Sequence, residues 1–247
     1  MGLWTPEHVK TLLPALAVML ILAAVLRRVM KDKPRNIRMI PIQIIACLLL
    51  ALEIGKQWAS SIGGYDLYSL PFHFCSLFLF SMPLAAFYKG KYEKAVFSVA
   101  TIWAASLFML MLIYPNLIYS DGNIRNYFAE YMSFHTVTFH NLVMFAFLLI
   151  LALDLYKPME KGEIKVLLAA TTGFCVISAS MAHILKTNYA NFYRCNIPVF
   201  EDVRISLQSV IGVGLTQILY VLIVSVLTLL FVLLAYGFCR LLYRISK

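Results

Sequence analysis

Apolar residues occur in long runs along the chain, and polar and basic residues lie mostly between those runs. Several runs reach about 20 residues, the length a helix needs to cross about 30 Å of hydrocarbon. Only helices and closed barrels satisfy their own backbone groups in lipid, and runs of this length are typical of helices. The chain is therefore predicted to be all-α, a polytopic membrane helix bundle forming a single domain over residues 1–247. Its seven predicted transmembrane helices are Val9–Val29, Met39–Trp58, Leu70–Tyr88, Ala95–Tyr114, Met132–Leu155, Ile164–Leu185 and Thr216–Leu242.

Two connections between these spans are longer than ordinary loops, Pro115–Tyr131 and Lys186–Gln217. Long connections often cover a site, and the second is the better candidate for a lid. It contains the apolar stretch Ile205–Leu215, which is too short to cross and is interrupted by Gly212 and Gly214. We expect this stretch to be re-entrant or interfacial.

Basic residues predict the orientation of the bundle, because cytoplasmic loops are enriched in Lys and Arg. The connections after the first, third and fifth spans, the span ends beside them and the C-terminus carry most of them. They are Arg27, Arg28, Lys31, Lys33, Arg35, Arg38, Lys89, Lys91, Lys94, Lys157, Lys161, Lys165, Arg240, Arg244 and Lys247. We therefore predict that the N-terminus is outside and the C-terminus inside. The first span carries its positive charge after the apolar run, as an anchor does and a cleaved signal peptide does not.

Composition narrows the class further. The chain is 62% hydrophobic and 13% charged, with a mean hydropathy of +0.81, which indicates a multi-pass membrane protein. The plasma membrane is its expected location. The net charge of +9 comes from short loops and not from a folded basic face, so no nucleic-acid partner is expected. The five cysteines lack CxxC spacing, and the chain has no HExxH, GxSxG or P-loop motif. No metal and no cofactor are predicted, and the last span has no lysine for a retinal Schiff base.

Ionisable residues inside the predicted spans are concentrated toward one side. Such a side chain costs about 2.5–3.5 kcal/mol on insertion scales, so each requires a partner or a function. Apart from the basic residues at the span ends, the inner half has only Asp154, at its boundary, under the predicted topology. The outer half contains Glu53, Lys56, His73, His135, His140 and His183. This asymmetry predicts a polar pocket that opens outward.

Glu53, Lys56 and Gln57 are expected to point the same way, because positions three or four apart share a helix face. A Glu53–Lys56 pair would neutralise both charges inside the bundle. Two interpretations stay open: a structural clamp between helices, or part of a site that binds substrate or ligand.

The segment Ser69–Phe80, SLPFHFCSLFLF, is typical of a helix N-terminus, with a capping serine followed by Pro71 and an apolar run. His73 and Cys75 would then lie in the first turn, where partial positive charge favours a thiolate. Cys75 is therefore a candidate nucleophile, and a packed, inert thiol is the alternative. His73 is about 200° away around a helix and is not expected to contact it.

A base for Cys75 has to come from another helix. The segment SFHTVTFHN offers His135 and His140, about 140° apart on a helix. We favour His140, which lies deeper and has Asn141 beside it, and a structural role for either histidine is the alternative. Cys195 is predicted on the same outer side, where a disulfide to Cys75 would remove the nucleophile.

Polar and aromatic residues are concentrated again in KTNYANFYRCNIP, after the sixth span. Asn188, Tyr189 and Arg194 are candidates for binding a phosphate or a carbonyl at headgroup level, since a guanidinium group forms a bidentate fork. An aromatic belt with turn residues is an equally supported alternative.

Three motifs resemble those of the bacterial YwaF-type integral membrane proteins, which are grouped with eukaryotic transmembrane protein 164. They are LPFHFC at Leu70–Cys75, FHNLVMFAFLLILAL at Phe139–Leu153 and TNYANFYRCNIP at Thr187–Pro198. Eukaryotic members are cysteine-centred acyltransferases that move fatty acyl chains between phospholipids, so the resemblance implies that activity here.

The resemblance places the family histidine at His73. In the eukaryotic pattern the cysteine directly precedes that histidine, where this chain has Phe72. Many bacterial members have an acidic residue at the position of Ser76. The nucleophile would then be Cys75, three residues beyond the eukaryotic position.

The leading functional hypothesis is a phospholipid acyltransferase or acyl hydrolase whose Cys/His site opens to the outer leaflet. Cys75 would attack the acyl carbonyl, and His140 or His135 would take the thiol proton. His73 with Asn188 would orient the substrate or stabilise the oxyanion. Membrane phospholipids are the expected partners, and no oligomeric state is predicted.

The alternative hypothesis is a transporter or sensor that binds a small polar or anionic ligand in an outward-facing pocket. Glu53 and Lys56 would respond to the ligand, and Gly212 and Gly214 would mark a broken helix of the kind that transporters use.

Overall fold

The computed structural model describes residues 4–62, 64–117, 120–159 and 161–245, and within them the chain is helical with no strand. Lys247, counted above among the basic residues, lies outside the described residues. The helices are α1 Pro6–Met30, α2 Arg35–Arg38, α3 Ile40–Ser61, α4 Leu77–Phe87, α5 Glu93–Ile113, α6 Asp121–Arg125, α7 Tyr131–Ala152, α8 Glu163–Ile184, α9 Pro198–Ile211 and α10 Val213–Ile245. Short 3₁₀ turns lie at Leu67–Ser69, Phe74–Ser76, Pro115–Leu117 and Tyr189–Asn191. The predicted all-α fold is confirmed.

Six segments of the described chain are long and apolar enough to cross a membrane as helices. They correspond to every predicted span except the third. Their bounds are Pro6–Met30, Arg35–Ser61, Glu93–Ile113, Tyr131–Ala152, Glu163–Ile184 and Val213–Ile245. The protein is therefore a multi-pass helical membrane protein.

The third predicted span, Leu70–Tyr88, is helical only over Phe74–Phe87, a shorter apolar segment. Leu70 is extended, with φ −62° and ψ 147°, because the α conformation is disfavoured before Pro71. His73 is also extended, with φ −80° and ψ 158°. The backbone of this span is thus extended at Leu70 and His73, before α4 begins.

The predicted helix N-terminus at Ser69 is therefore wrong. Ser69 ends the 3₁₀ turn Leu67–Ser69, and its hydroxyl makes no capping hydrogen bond. Cys75 lies in the next 3₁₀ turn, Phe74–Ser76, which leads into α4. The histidine and the thiol are consequently presented from irregular backbone and not from the first turn of a helix.

Helix α5 forms the centre of the bundle. The most apolar window of α5 is 72% buried, against 17% for α1 and 11% for α10. Ala100 and Ala104 on α5 are completely buried, and small residues allow neighbouring helices to approach closely. The apolar side chains of α1 and α10 that face outward match a lipid environment.

One end of the bundle is held together by arginine side chains. Arg38 donates to the carbonyl oxygen of Leu153 at 2.6 Å, and Arg35 lies 3.8 Å from the carboxylate of Glu93. Helix α2, which leads into α3, therefore meets the start of α5 and the end of α7 at the end that carries the basic connections. The ends of α3 and α5 and the start of α7 lie at the opposite end.

The long connection before α10 is mostly structured. Its residues 198–211 form α9, which is too short to cross, and Gly212 then joins α9 to α10 with a φ of +83° that favours glycine. Gly214 lies within α10 and does not break it. Val199, Phe200 and Val210 on α9 expose more than half of their surface. The stretch Ile205–Leu215 is thus the end of an amphipathic helix followed by the start of a long one.

Helices α3 and α7 approach closely at Gly55. The Tyr131 hydroxyl of α7 donates to the carbonyl oxygen of Leu52 at 3.0 Å. A Cβ on Gly55 would lie 1.9 Å from that hydroxyl oxygen and 2.6 Å from the ring carbon that carries it. Only glycine therefore permits this contact.

We expect Gly55→Ala to lower the melting temperature of the purified protein in detergent. The added methyl group displaces the Tyr131 ring and breaks its hydrogen bond, and overpacking of this kind costs about 1–3 kcal/mol. Gly173→Ala in α8 is the matched control, because its Cβ would meet open space and alanine is the better helix former. Equal melting temperatures for the two variants would contradict the close approach.

Candidate functional site

A cavity of about 930 Å³ lies at the end of the bundle opposite the arginine contacts. Its polar lining comes from the end of α3, the segment before α4, the start of α7, the Asn188–Ile197 connection and α9. These residues include Glu53, Lys56, Tyr68, Ser69, His73, Cys75, His135, His140, Asn188, Asn191, Cys195, Asn196 and Arg204. Its apolar lining follows α10 and the facing helices, with Leu107, Leu110, Phe139, Phe174, Leu219, Ile223, Val224, Leu227, Phe231 and Val232. The cavity therefore has a polar end and an apolar end.

Glu53 is the centre of the polar end. Its Oε1 accepts a hydrogen bond from Lys56 Nζ at 2.7 Å and another from Gln57 Nε2 at 2.7 Å. Its Oε2 lies 3.5 Å from His135 Nε2. Lys56 and Gln57 lie on the face of α3 that the spacing predicts, and His135 lies on the adjoining helix α7. The Glu53 charge is thus neutralised locally, and its side chain also contacts the cavity.

Gln57 connects this cluster to the loop before α4. Its Nε2 donates to the carbonyl oxygen of Ser69 at 2.9 Å as well as to Glu53. The Tyr65 hydroxyl donates to its Oε1. Gln57 does not line the cavity, so it positions the groups that do.

His73 and Cys75 both line the cavity, with the thiol half-buried. The His73 ring packs 4.4 Å from the Tyr68 ring and 5.3 Å from the Tyr189 ring, measured between centroids. Its Nε2 donates to the carbonyl oxygen of Tyr68 at 3.1 Å. A carbonyl oxygen can only accept, so this bond places a proton on Nε2 of His73.

His140 also lines the cavity and is 6% exposed. Its Nδ1 donates to the carbonyl oxygen of Thr136 at 2.6 Å. A carbonyl accepts and never donates, so this bond fixes the proton on Nδ1 and leaves Nε2 as the basic nitrogen. The Cys75 thiol and the His73 and His140 imidazoles thus line one cavity, and a backbone carbonyl orients each ring.

The three candidate headgroup residues lie in different environments. Tyr189 is completely buried, and its hydroxyl donates to the carbonyl oxygen of Leu67. Asn188 lines the cavity, but its Nδ2 donates to Asn196 and its Oδ1 accepts the backbone N–H groups of Tyr193 and Arg194. Arg194 is exposed and does not line the cavity. Tyr189 and Asn188 therefore hold the connection in shape.

Arg204 on α9 is the arginine of the cavity lining, and sequence reasoning missed it. It binds Glu201 through Nε at 2.9 Å and Nη2 at 2.6 Å, and its Nη1 donates to Gln217 Oε1 at 3.0 Å. The hydrogen bonds from Arg204 hold the pKa of Glu201 below its usual range. The sequence signal that could have identified Arg204 is its i, i+3 spacing from Glu201 within an amphipathic stretch.

Three buried polar atoms of the cavity lining have no hydrogen-bond partner among the described residues. They are Ser69 Oγ, His135 Nε2 and Asn191 Oδ1. Buried polar atoms are usually satisfied, so each of these requires an explanation.

The remaining candidates lie outside this arrangement. His183 lies near Gln217, with Nε2 to Nε2 at 3.4 Å, and is absent from the cavity lining. All five cysteines are free thiols, so the Cys75–Cys195 disulfide considered above is not formed. Within the described ranges, no three His, Cys, Asp or Glu side chains are arranged to hold a metal ion.

Comparison with known proteins gives one match. The model of the TMEM164 family matches residues 3–236, almost the whole chain. No curated protein and no solved structure matches.

We expect Lys56→Met to destabilise the protein by about 3–5 kcal/mol, because removing one partner of a buried ion pair leaves the other charge unpaired. The double variant Glu53→Gln/Lys56→Met removes both charges and should recover most of that loss. Thermal unfolding of the wild type, Lys56→Met and the double variant in one detergent measures the order of their stabilities. A double variant less stable than Lys56→Met would contradict the ion-pair interpretation.

Proposed function

This chain belongs to the TMEM164 family, and from that premise we propose that it is a phospholipid acyltransferase or acyl hydrolase. The acyl chain passes through a thioester on Cys75. It then goes to an acceptor hydroxyl in the transferase reaction or to water in the hydrolase reaction.

The observation that carries the proposal is the polarity of the cavity. The thiol and the imidazoles lie at its polar end, and apolar side chains of α10 continue from Leu219 to Val232. At 1.5 Å per residue this part of α10 is about 20 Å long. A phospholipid has the same division, with polar esters and headgroup at one end and long acyl chains at the other.

The chemistry assigned to the polar end follows from the hydrogen bonds. His140 Nε2 takes the proton of the Cys75 thiol, because its Nδ1 already holds a proton toward Thr136. The thiolate attacks the ester carbonyl carbon, and the imidazolium then returns the proton to the departing alkoxide. His135, held beside Glu53, is the second candidate for this base. His73, fixed by Tyr68, orients the substrate.

Arg204 takes the headgroup role that the sequence suggested for Arg194. Its guanidinium group lines the cavity, and a phosphate can replace the Glu201 carboxylate as its bidentate partner. Lys56 adds a second positive charge at the same end of the cavity.

We also propose that the chain crosses the membrane seven times, with the N-terminus outside. The Phe74–Phe87 helix supplies the short crossing, since Gln43 at the start of α3 donates to Ala86 near the end of α4 at 3.3 Å. The basic end then faces the cytoplasm. The cavity opens toward the outer leaflet of the plasma membrane.

The transporter or sensor alternative requires a polar path to both ends of the bundle. All ionisable side chains of the cavity lining lie at one end, and its other end is apolar. This division favours acyl transfer over transport.

We expect Cys75→Ala to abolish acyl transfer from a phospholipid with a labelled acyl chain, because the thioester cannot form. The measurement is the labelled product and the acyl-enzyme mass for protein in lipid nanodiscs. Cys195→Ala is the matched control, since Cys195 also lines the cavity and has no assigned role. An unchanged product yield from a well-folded Cys75→Ala protein would contradict the assignment of Cys75 as the nucleophile.

We expect Phe231→Ala to shift the lipids that co-purify with the protein toward longer acyl chains. Phe231 lies toward the apolar end of the cavity, so its truncation lengthens that end. Mass spectrometry of extracted lipids measures the shift. Leu230→Ala, at a neighbouring residue that is 52% exposed and outside the lining, should leave the distribution unchanged, and an equal shift in both variants would contradict the assignment.

A further inference from the structure

We infer that Ser69 is a catalytic residue whose hydroxyl, together with His135 Nε2–H, binds the carbonyl oxygen of the acyl ester as it becomes an oxyanion. The inference rests on the proposed function. It assigns a role to two polar groups that the protein leaves unsatisfied at the polar end of the cavity.

The Ser69 hydroxyl is buried and has no acceptor among the described residues. The residue is 4% exposed and lines the cavity. Its backbone is fixed on both sides, because its N–H donates to Asp66 at 2.9 Å and its carbonyl accepts from Gln57 at 2.9 Å. The hydroxyl is therefore held in place with its donor hydrogen unused.

With His140 as the base, His135 Nε2–H is the second donor, because the Glu53 carboxylate 3.5 Å away favours the tautomer with its hydrogen on Nε2. The side chain is 9% exposed, and the nearest carboxylate oxygen, on Glu53, is 3.5 Å away, which is too long for a good hydrogen bond. An oxygen atom entering the cavity beside the ring would accept this hydrogen. The negative charge of Glu53 does not oppose the oxyanion strongly, because Lys56 lies 2.7 Å from its other oxygen.

Gln57 sets the two donors relative to each other. Its Nε2 contacts both the Ser69 carbonyl and the Glu53 carboxylate, and Glu53 in turn lies beside His135. Gln57 is thus a positioning residue. Asn188 is less suited to the oxyanion role, because its Nδ2 donates to Asn196 and its Oδ1 accepts backbone N–H groups within its own connection.

The assigned step is balanced. The Cys75 sulfur forms a bond to the carbonyl carbon, and the π electron pair moves to the carbonyl oxygen, where Ser69 and His135 stabilise it. Collapse restores the C=O bond and breaks the ester C–O bond. The alkoxide leaves with the proton from the imidazolium, which yields a lysophospholipid and a Cys75 thioester.

Two reactions of one thiol test this role. Acylation of Cys75 by p-nitrophenyl decanoate in detergent passes through an oxyanion, whereas alkylation by iodoacetamide does not. We expect Ser69→Ala to slow acylation by about 10²-fold and to leave the alkylation rate of Cys75 unchanged. Ser69→Thr keeps the hydroxyl and should restore most of the acylation rate.

Ser81→Ala is the matched control. Ser81 Oγ is also buried without a partner among the described residues, but it lies on α4 outside the cavity lining. Its loss should change neither rate. Equal acylation rates for wild type and Ser69→Ala would overturn the inference alone, and a wild-type Cys75 that forms no acyl adduct would overturn both the inference and the proposed function.

Discussion

The arrangement of the site depends on the cost of keeping the Glu53 charge inside a membrane bundle. A carboxylate in a medium of low polarity requires opposite charge and hydrogen-bond donors, and Lys56 and Gln57 supply them from the same helix. Gln57 then fixes Ser69, and the free side of the carboxylate brings His135 of α7 within 3.5 Å. One buried charge therefore organises a helix, a loop and a neighbouring helix around a common cavity.

The shape of the cavity depends on where α4 begins. A full helix over residues 70–88 would fill the end of the bundle with side chains of its own first turns. The extended backbone before Phe74 instead leaves polar space beside Glu53 and presents His73 and Cys75 to it. Irregular backbone at membrane depth is tolerated where it lines a cavity and its groups find partners. Tyr189 supplies one such partner by donating to Leu67.

The apolar end of the cavity has a different origin. Helix α10 lies at the periphery and is little buried, so its inner face is available to line a groove along much of its length. Helix α9 covers the polar end from the side, and Arg204 fastens it to Gln217 at the start of α10. The resulting shape suits a molecule with a charged head and a long tail.

The sequence by itself determined the all-α class, six of the spans, the shared face of Glu53 and Lys56, and the family resemblance, because apolar runs and helical spacing are local properties. Tertiary structure decided the rest. It replaced the helix start at Ser69 with extended backbone before Pro71, and it brought Arg204 into the cavity while Arg194 stayed exposed. Among the residues that the structure describes, it also left the hydroxyl of Ser69 without a partner. Such outcomes depend on contacts between residues far apart in the chain, and the spacing of neighbouring residues in the sequence does not predict those contacts.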